Sequence, residues 1–97
     1  MVAENEYRLR VTDEIASLLR KLHPEIKRHI RHALELIIGD PYCGKALKDD
    51  LEGVRSFRIK RYRIIYRVVT ESRHIEIIAV GPRRNIYQET FRIIGKK

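Results

Sequence analysis

The sequence predicts an α+β domain of order β-α-α-β-β-β, with a helical hairpin packed on one face of a mainly antiparallel sheet and a short element to follow at the C-terminus. Three observations predict it. Apolar residues follow helical spacing only between residues 13 and 39, whereas 6–11 and most of 54–80 alternate as strands do. Glycine and proline fall at the boundaries of those segments. Helices that precede a run of strands, instead of alternating with them, segregate to one side of an antiparallel sheet. With 97 residues the chain is one domain, 1–97, able to bury about two thirds of the surface its unfolded form exposes.

The first element is "EYRLRV", residues 6–11, whose Tyr7, Leu9 and Val11 share one side of a half-buried strand. Thr12 or Asp13 caps a helix in which Ile15, Leu18, Leu19 and Leu22 recur at i, i+3, i+4 and i+7, and Asp13 and Glu14 complement its N-terminus. Pro24 disfavours helical geometry at His23 and suits the first turn of a second helix. That helix buries Ile26, Ile30, Ala33, Leu34 and Ile37, turns Lys27, Arg28, Arg31 and Glu35 outward, and ends at Gly39 before Asp40-Pro41. Residues 42–53 have no periodicity and read as a loop with Gly44 and Gly53 as breakers and Leu47 and Leu51 as anchors. Three strands follow at about 54–60, 62–70 and 74–80, the last two joined by the polar turn "ESR", with Gly81-Pro82 as the stop. The tail "NIYQETFRII" fits a short strand or a short helix equally well.

Charge is distributed unevenly along this plan. Residues 1–52 hold nine Lys/Arg against ten Asp/Glu, whereas 53–97 hold twelve against three, a net +9 for the C-terminal half against −1 for the other. Lys/Arg clustered on one surface is the footprint of a polyanion partner, because each phosphate contact releases condensed counterions. Strand parity sharpens the point. In "FRIKRYRIIYRVV", residues 57–69, Phe57, Ile59, Tyr62, Ile64, Tyr66 and Val68 fall on one side, while Arg58, Lys60, Arg63 and Arg67 fall on the other with Ile65 and Val69. The first side suits a helix layer. The second is expected to be an open cationic face with a few aromatic rings, fit to grip a single nucleic-acid strand.

Other chemistry is poorly supported. The single Cys43 allows no intrachain disulfide and lies in a Pro/Gly loop without a neighbouring base. His29 and His32, three residues apart on the second helix, have no third ligand in view, so no metal and no cofactor is expected. The N-terminus has no apolar run of the kind that targets or spans a membrane, and a reducing cytoplasm is the expected location.

"RSFRIKRYRIIYRVV", then "IEIIAVGPRRNIYQ", preceded by two helices and "DPYCGKALKDDLEGV", resembles the RelE/ParE superfamily of toxins from type II toxin-antitoxin pairs. The resemblance covers nearly the whole chain, from "RLRVTDEIASLLRKL" to Tyr87, and rests on the order helix hairpin, "P..GK.L", "G.R..RI..YR.IY", "I.V..R...Y". For a RelE-like member it implies an endoribonuclease that enters the ribosomal A site and cuts messenger RNA there. A ParE-like member would instead poison DNA gyrase without catalysis, and a plain nucleic-acid-binding module is a third reading of the same basic half. Position by position, the resemblance makes Arg58 and Lys60 the two basic residues of the strand before the hairpin and Arg63 the arginine of "YR.IY". It makes Arg83 the arginine after the last core strand and Tyr87 the C-terminal tyrosine. Arg55, Arg61, Arg67 and Arg84 are expected as RNA contacts around this catalytic set. Where many members carry a glycine in the hairpin this chain reads "KRY", which makes Lys60 a candidate turn residue, and Pro82 lets Arg84 compete with Arg83.

That set suits RNA cleavage through the 2′-hydroxyl, which needs in-line geometry, charge stabilisation at phosphorus and proton transfer at two oxygens. Arginines supply the charge; a phenol with its pKa lowered by neighbouring cations, or a lysine, supplies proton transfer. The resemblance also implies an antitoxin from an adjacent gene. A chain that neutralises the basic half is expected to be acidic, disordered alone, and to fold on binding as a helix in a groove or as a strand at a sheet edge.

Overall fold

The computed structural model of the chain describes residues 6–48, 52–82 and 86. It contains β1 (Arg8–Arg10), α1 (Asp13–Arg20), α2 (Pro24–Gly39), β2 (Lys45–Ala46), β3 (Arg55–Ile59), β4 (Tyr62–Val69) and β5 (His74–Pro82). The strands form one five-stranded sheet in the order β1-β5-β4-β3-β2, antiparallel except that β1 runs parallel to β5. The predicted α+β class and element order hold, with one strand added.

Each helix boundary has a local cause. Thr12 is the cap of α1, its Oγ1 accepting from the Ile15 N–H at 3.1 Å. His23 caps α2 through Nδ1, which accepts from the Glu25 N–H at 3.2 Å, and Pro24 supplies a first turn that needs no donor. The two helices are stapled where they meet: Lys27 Nζ donates to the carbonyl of Arg20 at 3.1 Å, a cation on the last turn of α1.

The helices cover one face. Ile30, Ala33 and Ile37 of α2 bury against Ile64 and Tyr66 of β4 and Ile75, Ile77 and Val80 of β5, with Leu9, Ile15, Leu19, Phe57 and Tyr62 around them. The opposite face, where Ile65 and Val69 are expected beside the cations, carries a second, smaller apolar cluster: Val54, Ile65, Ala79 and Ile86, joined by Leu47 and Ile78. A register shift between Ile65 and Tyr66 against β5 makes Ile78 an extra residue and so lets two consecutive residues, Ile78 and Ala79, face this second cluster.

Three expectations are corrected. Residues 45 and 46, read as loop, form β2, which pairs with Ser56 and Arg55 of β3. Lys60 is not a strand residue: Ile59 pairs with Tyr62, leaving Lys60-Arg61 as a two-residue turn, with Lys60 at φ 57°, a left-handed conformation uncommon for a side chain with Cβ. β5 does not stop before Gly81-Pro82 but runs through them, pairing Gly81 with Arg63 and Pro82 with Tyr62; β1 pairs with β5 only as far as Glu76, so Pro82 lies where β5 is an edge among the described residues and a proline is tolerated. Leu51 and the tail after Ile86 lie outside the described residues.

Candidate nucleic-acid interface

The register fixes which cations share the open face. Directly opposite residues in an antiparallel pair point the same way with their Cβ atoms about 5 Å apart. Arg58 therefore stands beside Arg63, Ser56 beside Ile65 on one flank and Lys45 on the other, and Arg67 beside Glu76. On β1, Arg8 and Arg10 extend the same face next to His74 and Glu76. A like-charge pair set directly opposite costs sheet stability, so Arg58 and Arg63 are not there for the fold.

Two halves of this face differ in how their arginines are held. On the β1 side, Glu76 draws in both Arg67 at 3.3 Å and Arg10 at 4.0 Å, and Arg10 also donates to His74 Nδ1 at 3.3 Å. A carboxylate shared by two guanidiniums cancels much of their field. On the hairpin side, Arg63 donates from Nη1 to the Ser56 hydroxyl at 3.0 Å, a neutral acceptor. Arg58 is exposed beside it, and Lys60 and Arg61 project from the turn at the end of the same hairpin, both exposed.

Ile86, only 2% exposed, packs with Ile65 and Ala79 on this face, and a Cβ built on Gly81 would lie 3.4 Å from its Cδ1. Ile86 is thereby anchored over the sheet. Arg83, Arg84 and Tyr87 themselves lie outside the described residues.

Arg55 belongs elsewhere. Its partner across the ladder is Tyr66, on the helix side, and its Nη1 donates to the carbonyls of Gly44 at 2.6 Å and Tyr42 at 3.2 Å while its guanidinium lies 4.9 Å from the Tyr42 ring centroid. It works with Tyr66, whose fully buried hydroxyl donates to the Pro41 carbonyl at 2.8 Å and accepts from the Gly44 N–H at 3.0 Å. Together they pin the "PYCG" loop to β4, and burial pushes the Tyr66 phenol up to about 12. Pinning that loop delivers Lys45 to the sheet edge. Lys45 is the cation of the face that periodicity cannot reveal, because a two-residue strand has no pattern; the nearest signal is its place directly after the glycine that Tyr66 holds.

The expected stacking rings are not on this surface among the described residues: Phe57, Tyr62 and Tyr66 all pack on the helix side. Cys43 is exposed, and its thiol is pushed up by partial burial and then by Asp40, which keeps it protonated at neutral pH. Among the described residues no group of three or more His, Cys, Asp or Glu side chains is placed to hold a metal ion.

This fold has known counterparts. The family model for ParE-like toxins of type II bacterial toxin-antitoxin systems matches residues 9–90. The toxin RelE of Mycobacterium tuberculosis is 28% identical over 90 residues, which span 91% of this chain and 93% of that protein. A chain of the toxin-antitoxin complex RelBE2 from the same organism superposes with a TM-score of 0.71 at 31% identity, covering 80% of this chain and 99% of that one. An E. coli RelE in the free state, with two arginines replaced by alanine, shares the fold at a TM-score of 0.76 and 19% identity over 94% of this chain and 96% of that one.

Proposed function

The chain belongs to the ParE-like toxins of type II bacterial toxin-antitoxin systems and is RelE-like within them, and we propose that it is a ribosome-dependent endoribonuclease that cuts translated messenger RNA in the A site. The observation that supports this reading is the hairpin itself: Arg58 and Arg63 stand directly opposite on the open face, and Ile86 anchors the chain next to Tyr87 over the same face. Cations gathered there are suited to a phosphate. In the proposed reaction the 2′-hydroxyl loses its proton to the deprotonated member of the Tyr87–Lys60 pair, its oxygen bonds to phosphorus, and the bond to the 5′-oxygen breaks as that oxygen takes up a proton from the protonated member. Arg63 and Arg83 stabilise the charge that builds on the phosphoryl oxygens, and Arg58, Lys45, Arg61 and Arg84 hold the flanking backbone. No step calls for a metal ion.

The cytoplasm, where ribosomes are, is the proposed site of action; among the described residues no helix is long and apolar enough to cross a membrane. The proposed partner is an acidic antitoxin encoded next to this chain. RelBE2 is a toxin-antitoxin complex, and a basic half-chain of +9 favours a chain of opposite charge.

A primer-extension map of cellular messages after induced expression tests the proposal. Codon-phased cuts confined to translated regions, abolished by co-expressing the product of the adjacent reading frame, are expected. Intact message with DNA damage would replace this reading with gyrase poisoning. Binding should also depend on salt: ribosome affinity is expected to fall steeply from low to moderate ionic strength, and Arg58→Ala or Lys45→Ala should each lower the log–log slope by about one. Slopes unchanged in both variants would remove these residues from the backbone contacts.

A further inference from the structure

We infer that Ser56 is a positioning residue that fixes the guanidinium of Arg63 for a phosphate group of the RNA backbone, a role that rests on the endoribonuclease reading above. The inference starts from an arginine in an unfavourable place. Arg63 sits directly opposite Arg58, and a long side chain in that position would be expected to swing its head into solvent, away from its neighbour's charge. Instead its Nη1 reaches diagonally back along β3 and donates to the Ser56 hydroxyl at 3.0 Å. Ser56 cannot follow a moving partner. It is 3% exposed, the buried polar residue among the described ones, and its strand is hydrogen-bonded on both sides, to β4 and to β2.

The choice of acceptor matters as much as its rigidity. The same face shows the alternative: Arg67 is held by the carboxylate of Glu76, which orients it and cancels its charge. A carboxylate at position 56 would hold Arg63 just as firmly and would repel an incoming phosphate. A hydroxyl is a neutral acceptor: it orients the guanidinium without itself cancelling the positive charge that attracts an anion. Ser56 also lies between Arg63 and Lys45, its β2 partner, so the lone pairs of one small neutral group separate two cations that a strand of phosphates would bridge.

The test is a set of small changes at one buried site. In single-turnover cleavage on programmed ribosomes, Ser56→Ala is expected to lower the rate by about 10-fold to 100-fold, the scale of a misplaced catalytic group, with the half-saturating ribosome concentration nearly unchanged. Ser56→Thr, which keeps the hydroxyl, should restore most of the rate. In an Arg63→Ala background, Ser56→Ala should have no further effect. A second readout does not depend on cleavage: the Arg63 Nε–H resonance, identified by its absence in Arg63→Lys, should shift and broaden in Ser56→Ala and hold its place in Ser56→Thr. A Ser56→Ala defect of equal size without Arg63, or an Arg63 resonance that ignores position 56, overturns the inference. A parent chain that cuts no message would sink the endoribonuclease reading alone, since the resonance still decides whether Ser56 holds Arg63.

Discussion

Replacing Tyr66 by alanine is expected to lower the unfolding free energy by about 3–5 kcal/mol, the usual cost of emptying a large buried aromatic site. For a domain whose total stability is of order 5–15 kcal/mol that is close to unfolding. The ring is fully buried in the main core, and the hydroxyl satisfies the Gly44 N–H and the Pro41 carbonyl. Tyr66→Phe separates the two contributions: it keeps the ring, leaves both backbone groups without that partner, and should cost about 1–3 kcal/mol. Gly44→Ala attacks the same contact from the other side, since an added Cβ would stand 2.5 Å from the Tyr66 oxygen and 3.1 Å from the Ser56 carbonyl. The pH dependence has a definite sign. The folded chain holds the Tyr66 proton up to about 12, against 10.0 for a free phenol, so this contribution is complete below pH 10.0 and is lost as pH rises toward 12. The stability gap between the parent and Tyr66→Phe should therefore narrow above pH 10.0. Chemical denaturation of the three variants checks this, and a Tyr66→Phe chain as stable as the parent would show that the loop is held by something else.

Arg63→Ala is expected to reduce message cleavage by about 10²–10³, the effect of removing one well-placed group that stabilises transition-state charge. Arg63→Lys should not rescue it, because an ammonium lacks the planar fork that allows one hydrogen bond to Ser56 and others to phosphate. Arg83→Ala and Tyr87→Phe are expected to relieve growth inhibition in the same way. The measurement is growth together with primer extension at matched protein levels. If all three substitutions leave a fully toxic chain, the catalytic set is wrong.

Most of the fold is legible in the sequence because most of it is built from periodic elements with local stop signals. Thr12, Pro24 and Gly39 mark the helices, and the alternation from Phe57 to Val68 assigns the buried face residue by residue. What was not legible depends on pairing at a distance. β2 exists only because β3 gives Lys45 and Ala46 a partner, and both residues are exposed, so nothing in their order announces a strand. Parity places Arg67 on the cationic face, but its tie to Glu76 follows from the β4–β5 register, which the sequence does not state. Arg55 looks like one more cation in a basic run, yet it faces the helices and secures a loop. The second apolar cluster draws on Leu47, Val54, Ile65, Ala79 and Ile86, five separate stretches that no window of sequence brings together.

The sheet order carries a consequence for how the chain comes into being. Among the described residues β5, the last strand to be synthesised, lies between β1, the first, and β4. Arg8 has to wait for His74, and Leu9 for Ile75, so the β1 edge cannot be added to the sheet until residues 74–76 have been made. Closing that long separation is the slow, entropy-limited kind of contact formation. Ile86, which seals the second cluster, comes later still. A nascent chain still tethered to the ribosome that makes it therefore holds helices and a hairpin but not the assembled face. The face is assembled only after β5 and Ile86 have both left the ribosome.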